Sequence, residues 1–418
     1  MEESGFSDFT MELGEFEVKK TGKFDRVWEM KYGGSFSSSP VICDGIIYVG
    51  NHDSHLYAIK TSGELLWKTR LSGRTTLSEP VIDGKNIFIG DCEGNLYVIE
   101  KGSGKVLREY KAGGAIFSTP CLFENLIIFG CKDGFVYAID RGSLSEVWRF
   151  GTGAEILSSP TLYGERIYIG SFDGNLYCLD PKTGNELWRF RTGGEVFAAF
   201  PFTIEDGVIY FGSFDNYLYA LDLETRKVVW KFRTGKYGNA GVPAVRDGVV
   251  YHGCRDGIFY AIDQKTGREI WRFRISGEEI LTIRPVINQG RIYVGAGDGN
   301  LYVLDMDGKE LWRFKTGDRI YECFALHGDT IYLGSYDCNM YAVDINTHDT
   351  KWIFPSSVKT PTQIKPAYHC WEVEVKTPTR EDAKENEEEK YSINMMDTET
   401  TRDEYSVKSE YVIKSEYA

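Results

Sequence analysis

The chain has 418 residues, of which 42% are hydrophobic and 14% aromatic, and a formal net charge of −14 at pH 7. This composition supplies a large apolar core, and the negative charge argues against nucleic acid or an anionic membrane surface as the main partner. The start of the sequence has no signal-peptide pattern, and no run of 18 apolar residues occurs, so we expect a cytoplasmic protein without a membrane span. Nine cysteines without a pairing pattern agree with a reducing compartment.

A motif of the form Y/F-x-G-x-x-D/E-x-x-[LFVM]-Y occurs eight times with a period of about 40 residues. The copies are Tyr48–Tyr57, Phe88–Tyr97, Phe129–Tyr137, Tyr168–Tyr177, Tyr210–Tyr219, Tyr251–Tyr260, Tyr293–Tyr302 and Tyr332–Tyr341. A repeat of this length is typical of solenoids and propellers, in which each unit buries its apolar faces against its neighbours. We therefore expect one body made of eight similar units.

Within a unit, four short runs rich in Tyr, Ile, Val and Phe are separated by turn residues. In the fourth copy, Gly164 ends the first run, and Asp173-Gly174 predicts a tight hairpin with a positive-φ pair between the second and third. A turn from Asp180 to Gly184 precedes the last run. No helical periodicity separates the units, so four antiparallel strands per unit predict an all-β, eight-bladed propeller.

A tryptophan stands on the last predicted strand of most units, where it would fill the gap between adjacent blades. The predicted blade-docking residues are Trp28, Trp67, Trp148, Trp188, Trp230, Trp271, Trp312 and Trp352, with Arg108 at that place in the second unit. Both Trp28 and Trp352 look like fourth-strand residues, although a closed ring needs only one of them. We expect the segment that contains Trp28 to complete the last blade.

The unit resembles the PQQ-like repeat, with its Ser-Ser-Pro, Ile-Tyr-Ile-Gly, Asp-Gly-Asn-Leu-Tyr and Asp-x-x-Thr-Gly elements followed by Trp. The resemblance extends from Trp28 to Trp352. It implies an eight-bladed propeller with tryptophans that dock blade to blade. The family includes quinone-dependent alcohol dehydrogenases and non-enzymatic scaffolds, such as the lipid-anchored periplasmic lipoprotein of the bacterial outer-membrane assembly machine. The resemblance therefore specifies the fold better than the activity.

The sequence lacks the features that the resemblance would imply for a dehydrogenase. No two cysteines are adjacent, there is no C-x-x-C-H haem motif, and the short steps between units leave no room for active-site insertions. We therefore predict no enzyme and no cofactor, but a non-catalytic scaffold that binds a protein or a peptide. The alternative is an enzyme that uses the central channel, such as a PQQ- and Ca²⁺-dependent dehydrogenase.

Inner strands of a propeller line the central channel, and the residues before their prolines are mostly small, as in Ser39, Thr119 and Ser159. Larger or charged residues at or upstream of this position predict a channel mouth that holds a small polar ligand or a peptide. The candidate residues are Arg74, Glu79, Lys236, Tyr237, Asn239, Arg284, Arg319, Tyr321 and Glu322. The alternative is a solvated rim whose charges pair locally.

One acidic residue recurs in the same turn of each unit, and the predicted role of this row is turn capping rather than metal binding. The row is Asp53, Glu93, Asp133, Asp173, Asp215, Asp256, Asp298 and Asp337. Cys131 and Cys254 occupy equivalent places three units apart and should not pair. His52 and His55 lack a further nearby zinc ligand, so no metal site is predicted.

These patterns divide the chain into an N-terminal lead at 1–24, a propeller at 25–358 and an acidic C-terminal extension at 359–418. A strand is predicted within 366–376, and a largely disordered tail after it. The end of the tail alternates in a strand-like way, so it is either a solvated tail or a strand that adds to a sheet edge of this chain or of a partner. The oligomeric state stays open.

Overall fold

The computed structural model describes residues 16–18, 34–235, 238–275, 284–320, 324–356 and 373–375, with the backbone alone at 16–18 and 373–375. The chain divides into two compact units, one of residues 20–372 and one of residues 1–19 with 373–418. In the second of these, strand β1 (Phe16–Val18) pairs antiparallel with strand β34 (Val373–Val375). Within the described ranges no helix is present, and hence none that could cross a membrane.

Unit 20–372 contains eight antiparallel sheets of four strands, each formed by consecutive strands. The first strands are Val41–Cys43 (β2), Val81–Asp83 (β6), Cys121–Phe123 (β10), Thr161–Tyr163 (β14), Thr203–Glu205 (β18), Ala244–Arg246 (β22), Val286–Asn288 (β26) and Ala325–His327 (β30). The second strands are Ile46–Gly50 (β3), Asn86–Gly90 (β7), Leu126–Gly130 (β11), Arg166–Gly170 (β15), Val208–Gly212 (β19), Val249–Gly253 (β23), Arg291–Gly295 (β27) and Thr330–Gly334 (β31).

The two outer rows complete the blades. The third strands are His55–Lys60 (β4), Asn95–Glu100 (β8), Phe135–Asp140 (β12), Asn175–Leu179 (β16), Tyr217–Asp222 (β20), Ile258–Asp263 (β24), Asn300–Asp305 (β28) and Asn339–Asp344 (β32). The fourth strands are Leu65–Arg70 (β5), Val106–Lys111 (β9), Glu146–Gly151 (β13), Glu186–Arg191 (β17), Val228–Arg233 (β21), Glu269–Arg274 (β25), Glu310–Lys315 (β29) and Thr350–Pro355 (β33). The second and third strands are almost wholly buried, and the fourth strands alternate between exposed and covered residues. We number the blades 1 to 8 in chain order.

The ring closes by packing of blade 1 against blade 8. Their innermost strands β2 and β30 are neighbours, and Ser35 Oγ donates a hydrogen bond of 3.0 Å to the carbonyl of Tyr336. Phe36, just before blade 1, packs in one apolar cluster with Tyr332 and Met340 of blade 8. The predicted eight-bladed propeller is therefore confirmed.

The prediction that the Trp28 segment completes the last blade is wrong. The fourth strand of blade 8 is β33, which contains Trp352 and pairs with β32. All eight blades are thus continuous in sequence, because each four-stranded sheet is made entirely from short-range hairpins. Trp28 itself lies outside the described residues.

The tight two-residue turns lie between the first and second strands, one hairpin earlier than the sequence suggested. Asp44 and Gly45 both have positive φ, at 52° and 72°, as a type I′ turn requires. In the turn between the second and third strands of blade 4, Gly174 has a φ of 84°, but Asp173 does not have a positive φ. The predicted positive-φ pair at Asp173-Gly174 is therefore wrong, because a longer turn spans this position.

The acidic residue of that longer turn caps the backbone, as predicted, and also links two blades. Asp173 Oδ1 accepts the N–H of Asn175 at 3.0 Å, and Asp173 Oδ2 accepts both the Tyr177 hydroxyl at 2.6 Å and the N–H of Gly153 in the preceding connection at 2.8 Å. The same Tyr-to-Asp bond recurs in the other blades.

Blade 2 departs from the predicted row, because Asp91 rather than Glu93 makes these bonds. Asp91 accepts the Tyr97 hydroxyl at 2.8 Å, the Asn95 N–H at 2.8 Å and the Gly73 N–H at 2.8 Å. Its shorter side chain, two residues earlier, reaches the same three donors. The Glu93 assignment is therefore wrong.

Tryptophans of the fourth strands contact the next blade at the turn between its third and fourth strands. Trp230 Nε1 donates to the Gln264 carbonyl at 2.8 Å, and Trp352 Nε1 donates to the Thr61 carbonyl of blade 1 at 2.9 Å. Trp67, Trp148 and Trp271 make the equivalent bonds. In these five junctions a glycine with positive φ lies against the indole. These five contacts are compatible with the predicted docking, which stays a prediction.

At three junctions the turn residue has a side chain and the indole bond is absent. Leu144, Arg226 and His348 replace the glycine and keep φ values of 59°, 60° and 66°. Trp188 Nε1 and Trp312 Nε1, beside Arg226 and His348, have no hydrogen-bond partner among the described residues. His348 stacks on Trp312 at a centroid distance of 4.3 Å, and Arg108 takes the tryptophan's place beside Leu144.

We expect Gly267→Ala to destabilise the propeller. A Cβ on Gly267 would lie 2.6 Å from Cγ of Trp230, and the φ of 69° disfavours any L side chain, so the cost should be about 1–3 kcal/mol. Urea unfolding followed by tryptophan fluorescence measures it. The matched variant Arg226→Gly relieves the same backbone strain and should leave the midpoint unchanged or raise it. Equal midpoints for Gly267→Ala and the parent chain would contradict the docking role.

Asp173→Ala should also destabilise the fold at neutral pH, by about 1–3 kcal/mol, because the variant leaves a buried hydroxyl and two N–H groups without their acceptor. Burial raises the pKa of Asp173, but hydrogen bonds from Tyr177, Gly153 and Asn175 outweigh this effect and lower it below 3.8. The carboxylate therefore stabilises the fold above pH 3.8, and this contribution is lost as the pH falls further. Unfolding midpoints of both chains should converge in acid; a constant difference would refute the ionic role.

Candidate functional site

Small hydroxyl residues of the inner segments join neighbouring blades near the axis. Ser38 Oγ donates to the Ser78 carbonyl at 2.7 Å, and the Thr119 N–H donates to Ser159 Oγ at 2.9 Å, each across one repeat. Glu79 joins this series through its N–H, which donates to Thr119 Oγ1 at 2.9 Å. These hydroxyls thus serve the blade contacts, which explains why the sequence keeps them small.

Apolar side chains occupy the inner segments next to these hydroxyls. Leu77, Phe117, Leu157 and Phe197, from the segments that lead into blades 2 to 5, belong to one continuous cluster and are at most 3% exposed. These four side chains are closed to solvent and carry no polar group. Ligand chemistry is therefore restricted to the charged positions around it.

The structure brings Glu79 and Arg284 together from blades 2 and 7. Both side chains are half-buried, and Arg284 lies over the Phe200 ring of blade 5 at 5.3 Å from its centroid. Burial raises the pKa of Glu79, and the Arg284 charge and a hydrogen bond from Ser39 oppose the rise. Residues from four blades thus meet in one electrostatically coupled group.

Arg74 and Arg319 lie at a different level, beside the turns between second and third strands. Their backbone carbonyls accept the N–H groups of Cys92 and Tyr336, at 3.0 Å each. Burial raises the pKa of the Cys92 thiol to about 11, against the charge and hydrogen bond of Arg74. Arg74 lies five residues before Glu79 in the chain, and the place of both arginines at a mouth of the ring stays a prediction.

Two glutamates on the other side of this mouth were missed by the sequence reasoning. The carbonyls of Glu155 and Glu195 accept N–H groups of Phe172 and Phe214 in the same way, on the segments that lead into blades 4 and 5. Glu155 lies 3.7 Å from Lys132, and burial raises the pKa of both glutamates. Their position two residues after the glycine of a Thr-Gly pair was the available signal. Arg74 and Arg319 thus lie on the segments that flank blade 1, and Glu155 and Glu195 lie on the segments into blades 4 and 5.

Asn239 does not reach this mouth. It is fully buried, its Nδ2 donates to Thr234 Oγ1 at 2.9 Å, and its Oδ1 lies 3.1 Å from His252 Nε2. Other blades have Ile116, Ile156, Val196 or Ile320 at the equivalent place. Burial lowers the pKa of His252 to about 3, so the ring is neutral and the pair is a polar insertion in the core.

Four of the predicted mouth residues lie outside the described residues: Lys236, Tyr237, Tyr321 and Glu322. Among those that the structure describes, no group of three His, Cys, Asp or Glu is placed to hold a metal ion. The seven described cysteines are free thiols. The site thus offers separated charges and aromatic rings, which suit the recognition of a polar or charged surface.

A model of a protein family described as outer membrane protein assembly factor BamB matches residues 19–115, 60–148, 132–279 and 255–377. These matches cover most of the chain. The chain belongs to this family. The predicted PQQ-like repeat is thereby confirmed. A search of curated proteins gave no match.

Solved structures agree with the fold. BamB from Moraxella catarrhalis is 18% identical, with a TM-score of 0.64, over 72% of this chain and 93% of that chain. The computationally designed Ika8 protein is 16% identical, with a TM-score of 0.65, over 79% of this chain and 98% of that chain. At these identities the likeness establishes the fold alone.

Replacement of Glu79 by Gln tests the coupled group. Because the folded pKa of Glu79 lies above 4.5, this carboxyl favours the folded state most below pH 4.5, and the benefit is lost as the pH rises through the folded value. Glu79→Gln should therefore gain in thermal midpoint relative to the parent chain as the pH is raised from acid to neutral. A midpoint difference that does not change with pH would show that Glu79 is solvated.

Proposed function

We propose that this chain is a non-catalytic propeller that binds a protein partner at the mouth lined by Arg74, Arg319, Glu155 and Glu195. The observation that carries the proposal is that equivalent inner segments have arginines where they lead into blades 2 and 8 and glutamates where they lead into blades 4 and 5. Complementary charge steers a partner and fixes its orientation. Membership of a family named for an assembly factor supports the same class of function.

The burial of these groups favours a protein surface over a small ion. Glu155 and Glu195 are half-buried and their pKa values are raised, so a partner that supplies cationic groups recovers part of the desolvation cost. The hydroxyls and apolar side chains around the axis are already committed to blade contacts. The charged side chains that a partner would contact are therefore those proposed at the rim of the channel, where a folded protein can reach them.

A PQQ-dependent dehydrogenase is the alternative, and the described residues do not fit its cofactor. The inner surface of blades 2 to 5 is occupied by Leu77, Phe117, Leu157 and Phe197, which offer no donor to a carboxylated quinone. No neighbouring cysteines and no carboxylate cluster are placed to hold PQQ and Ca²⁺ within the described parts of the chain. The cytoplasmic location stays a prediction, and a family named for outer-membrane assembly makes it doubtful.

The test is capture of partners by the full-length chain after cross-linking in lysate of its source. Arg319→Glu reverses one charge of the mouth and should remove the specific partner, whereas Lys265→Glu, an exposed residue in a turn of blade 6, should retain it. A partner retained equally by both variants would refute the mouth as the binding site. Dye-linked alcohol oxidation after addition of PQQ and Ca²⁺ should be absent, and saturable activity would establish the enzyme instead.

A further inference from the structure

The exposed faces of the fourth strands repeat a simple pattern around the ring. In blades 4, 6 and 7 the strand begins with a glutamate that neutralises the arginine three residues later. Glu186 binds Arg189 with bonds of 2.7 and 2.8 Å, and the pairs Glu269–Arg272 and Glu310–Arg313 repeat this two-bond geometry. A carboxylate is therefore the group that this face of the fold accommodates.

Blade 5 lacks that carboxylate. Val228 stands where blades 3, 4, 6 and 7 have glutamate, and Lys231 stands where those four blades have arginine. Blades 1, 2 and 8 also lack a glutamate at this place, where they have Leu65, Val106 and Thr350. Lys231 lies 4.6 Å from the centroid of the Tyr217 ring, and neither Lys231 nor Arg233 has a carboxylate within ion-pair distance among the described residues. Two cations on this strand are thus available to an outside acceptor.

Apolar surface lies beside these cations. Val228 and Val229 are 38% and 48% exposed, and Val229 is the unpaired residue of a β-bulge between β20 and β21. We call Val228, Val229, Lys231 and Arg233 the blade 5 stripe. It combines two exposed aliphatic side chains with two cations on a chain whose net charge is −14. Its positive sign is therefore local and opposes the charge of the whole chain.

The main chain of β21 offers a further point of attachment. Among the strands that the structure describes, β21 is the last of its sheet and pairs only with β20. Beyond the bulge, residues Trp230 to Arg233 run in regular register, so their outer edge presents N–H and C=O groups in the spacing of a strand. Bulges and cations on edge strands discourage pairing with apolar or basic strands, but they leave pairing with an acidic one favourable.

We propose that the blade 5 stripe binds an extended acidic segment of a partner protein. The segment lies along β21, places a carboxylate on Lys231 where blades 4, 6 and 7 have their own glutamate, and rests aliphatic side chains on Val228 and Val229. Alternate residues of an extended chain fall on one face, so the recognised pattern is acidic and aliphatic residues in alternation. This inference rests on the proposed binding function and adds a second surface with a stated partner chemistry.

The experiment uses the full chain and a fluorescein-labelled peptide of alternating Glu and Val, with an alternating Gln and Val peptide as the probe without charge. Fluorescence anisotropy should detect the Glu peptide and not the Gln peptide. Val228→Glu installs the carboxylate that three blades already tolerate, so it should fold normally and weaken binding of the Glu peptide by about tenfold, equivalent to about 1.4 kcal/mol.

Val228→Gln is the matched control, because it has the same side-chain length without the charge, and it should bind the Glu peptide at least several times more tightly than Val228→Glu. Equal affinities of these two variants, or no binding by the parent chain, would overturn the proposal. So would binding of the parent chain to anionic vesicles but not to the peptide. Salt dependence alone is a poor readout here, because salt also screens the repulsion between the acidic chain and the peptide.

The outcomes separate this inference from the mouth proposal. If Arg319→Glu removes a captured partner while the peptide fails to bind, only the blade 5 stripe is refuted. If the peptide binds and Val228→Glu weakens it while Arg319→Glu retains every partner, only the mouth is refuted.

Discussion

The junction between neighbouring blades is the constraint on which this propeller depends. A four-stranded sheet of short strands cannot bury both faces by itself, so each blade gains its core only from the next one. The contacts that recur at these junctions use few atoms. An aspartate in one blade accepts an N–H from the preceding connection, and an indole rests on a glycine that has no Cβ to displace it.

The junctions are not equivalent, and their differences have a common physical cause. Where glycine is replaced, as at Arg226 and His348, the adjacent indole loses its hydrogen bond and stacks or lies against the new side chain instead. Polar residues at apolar core positions also occur together. Asn239 and His252 both stand at positions that are apolar in several other blades, and Asn239 Oδ1 lies 3.1 Å from His252 Nε2. The second residue compensates for the first only in part, because His252 Nδ1 has no partner among the described residues.

The contacts between blades also determine which side chains can contact a partner. The hydroxyl groups near the axis bind neighbouring blades, and the second and third strands are buried. The charged side chains therefore lie mainly at the mouth and on the outer strands. On the fourth strands of blades 3, 4, 6 and 7 an arginine pairs with a glutamate of its own strand, and blade 5 has Val228 in the place of that glutamate. The proposed surfaces are thus at the mouth and on an outer strand.

Sequence patterns were sufficient for the eight blades, their four strands and the capping aspartates of every blade except blade 2, because turns and strand alternation are set by interactions within about ten residues. The one misplaced turn pair, at Asp173-Gly174, arose because a glycine with positive φ fits both two-residue and longer turns.

Tertiary structure decided which residues meet across the ring. It grouped Glu79 with Arg284, separated both from Arg74 and Arg319, placed Asn239 in the core and put Trp352 rather than Trp28 on the last strand. Which residues lie close together depends on how far each blade is rotated about the ring axis relative to the others. It also depends on which side chains form hydrogen bonds within the core. A repeat read one unit at a time contains no information about distances across the axis.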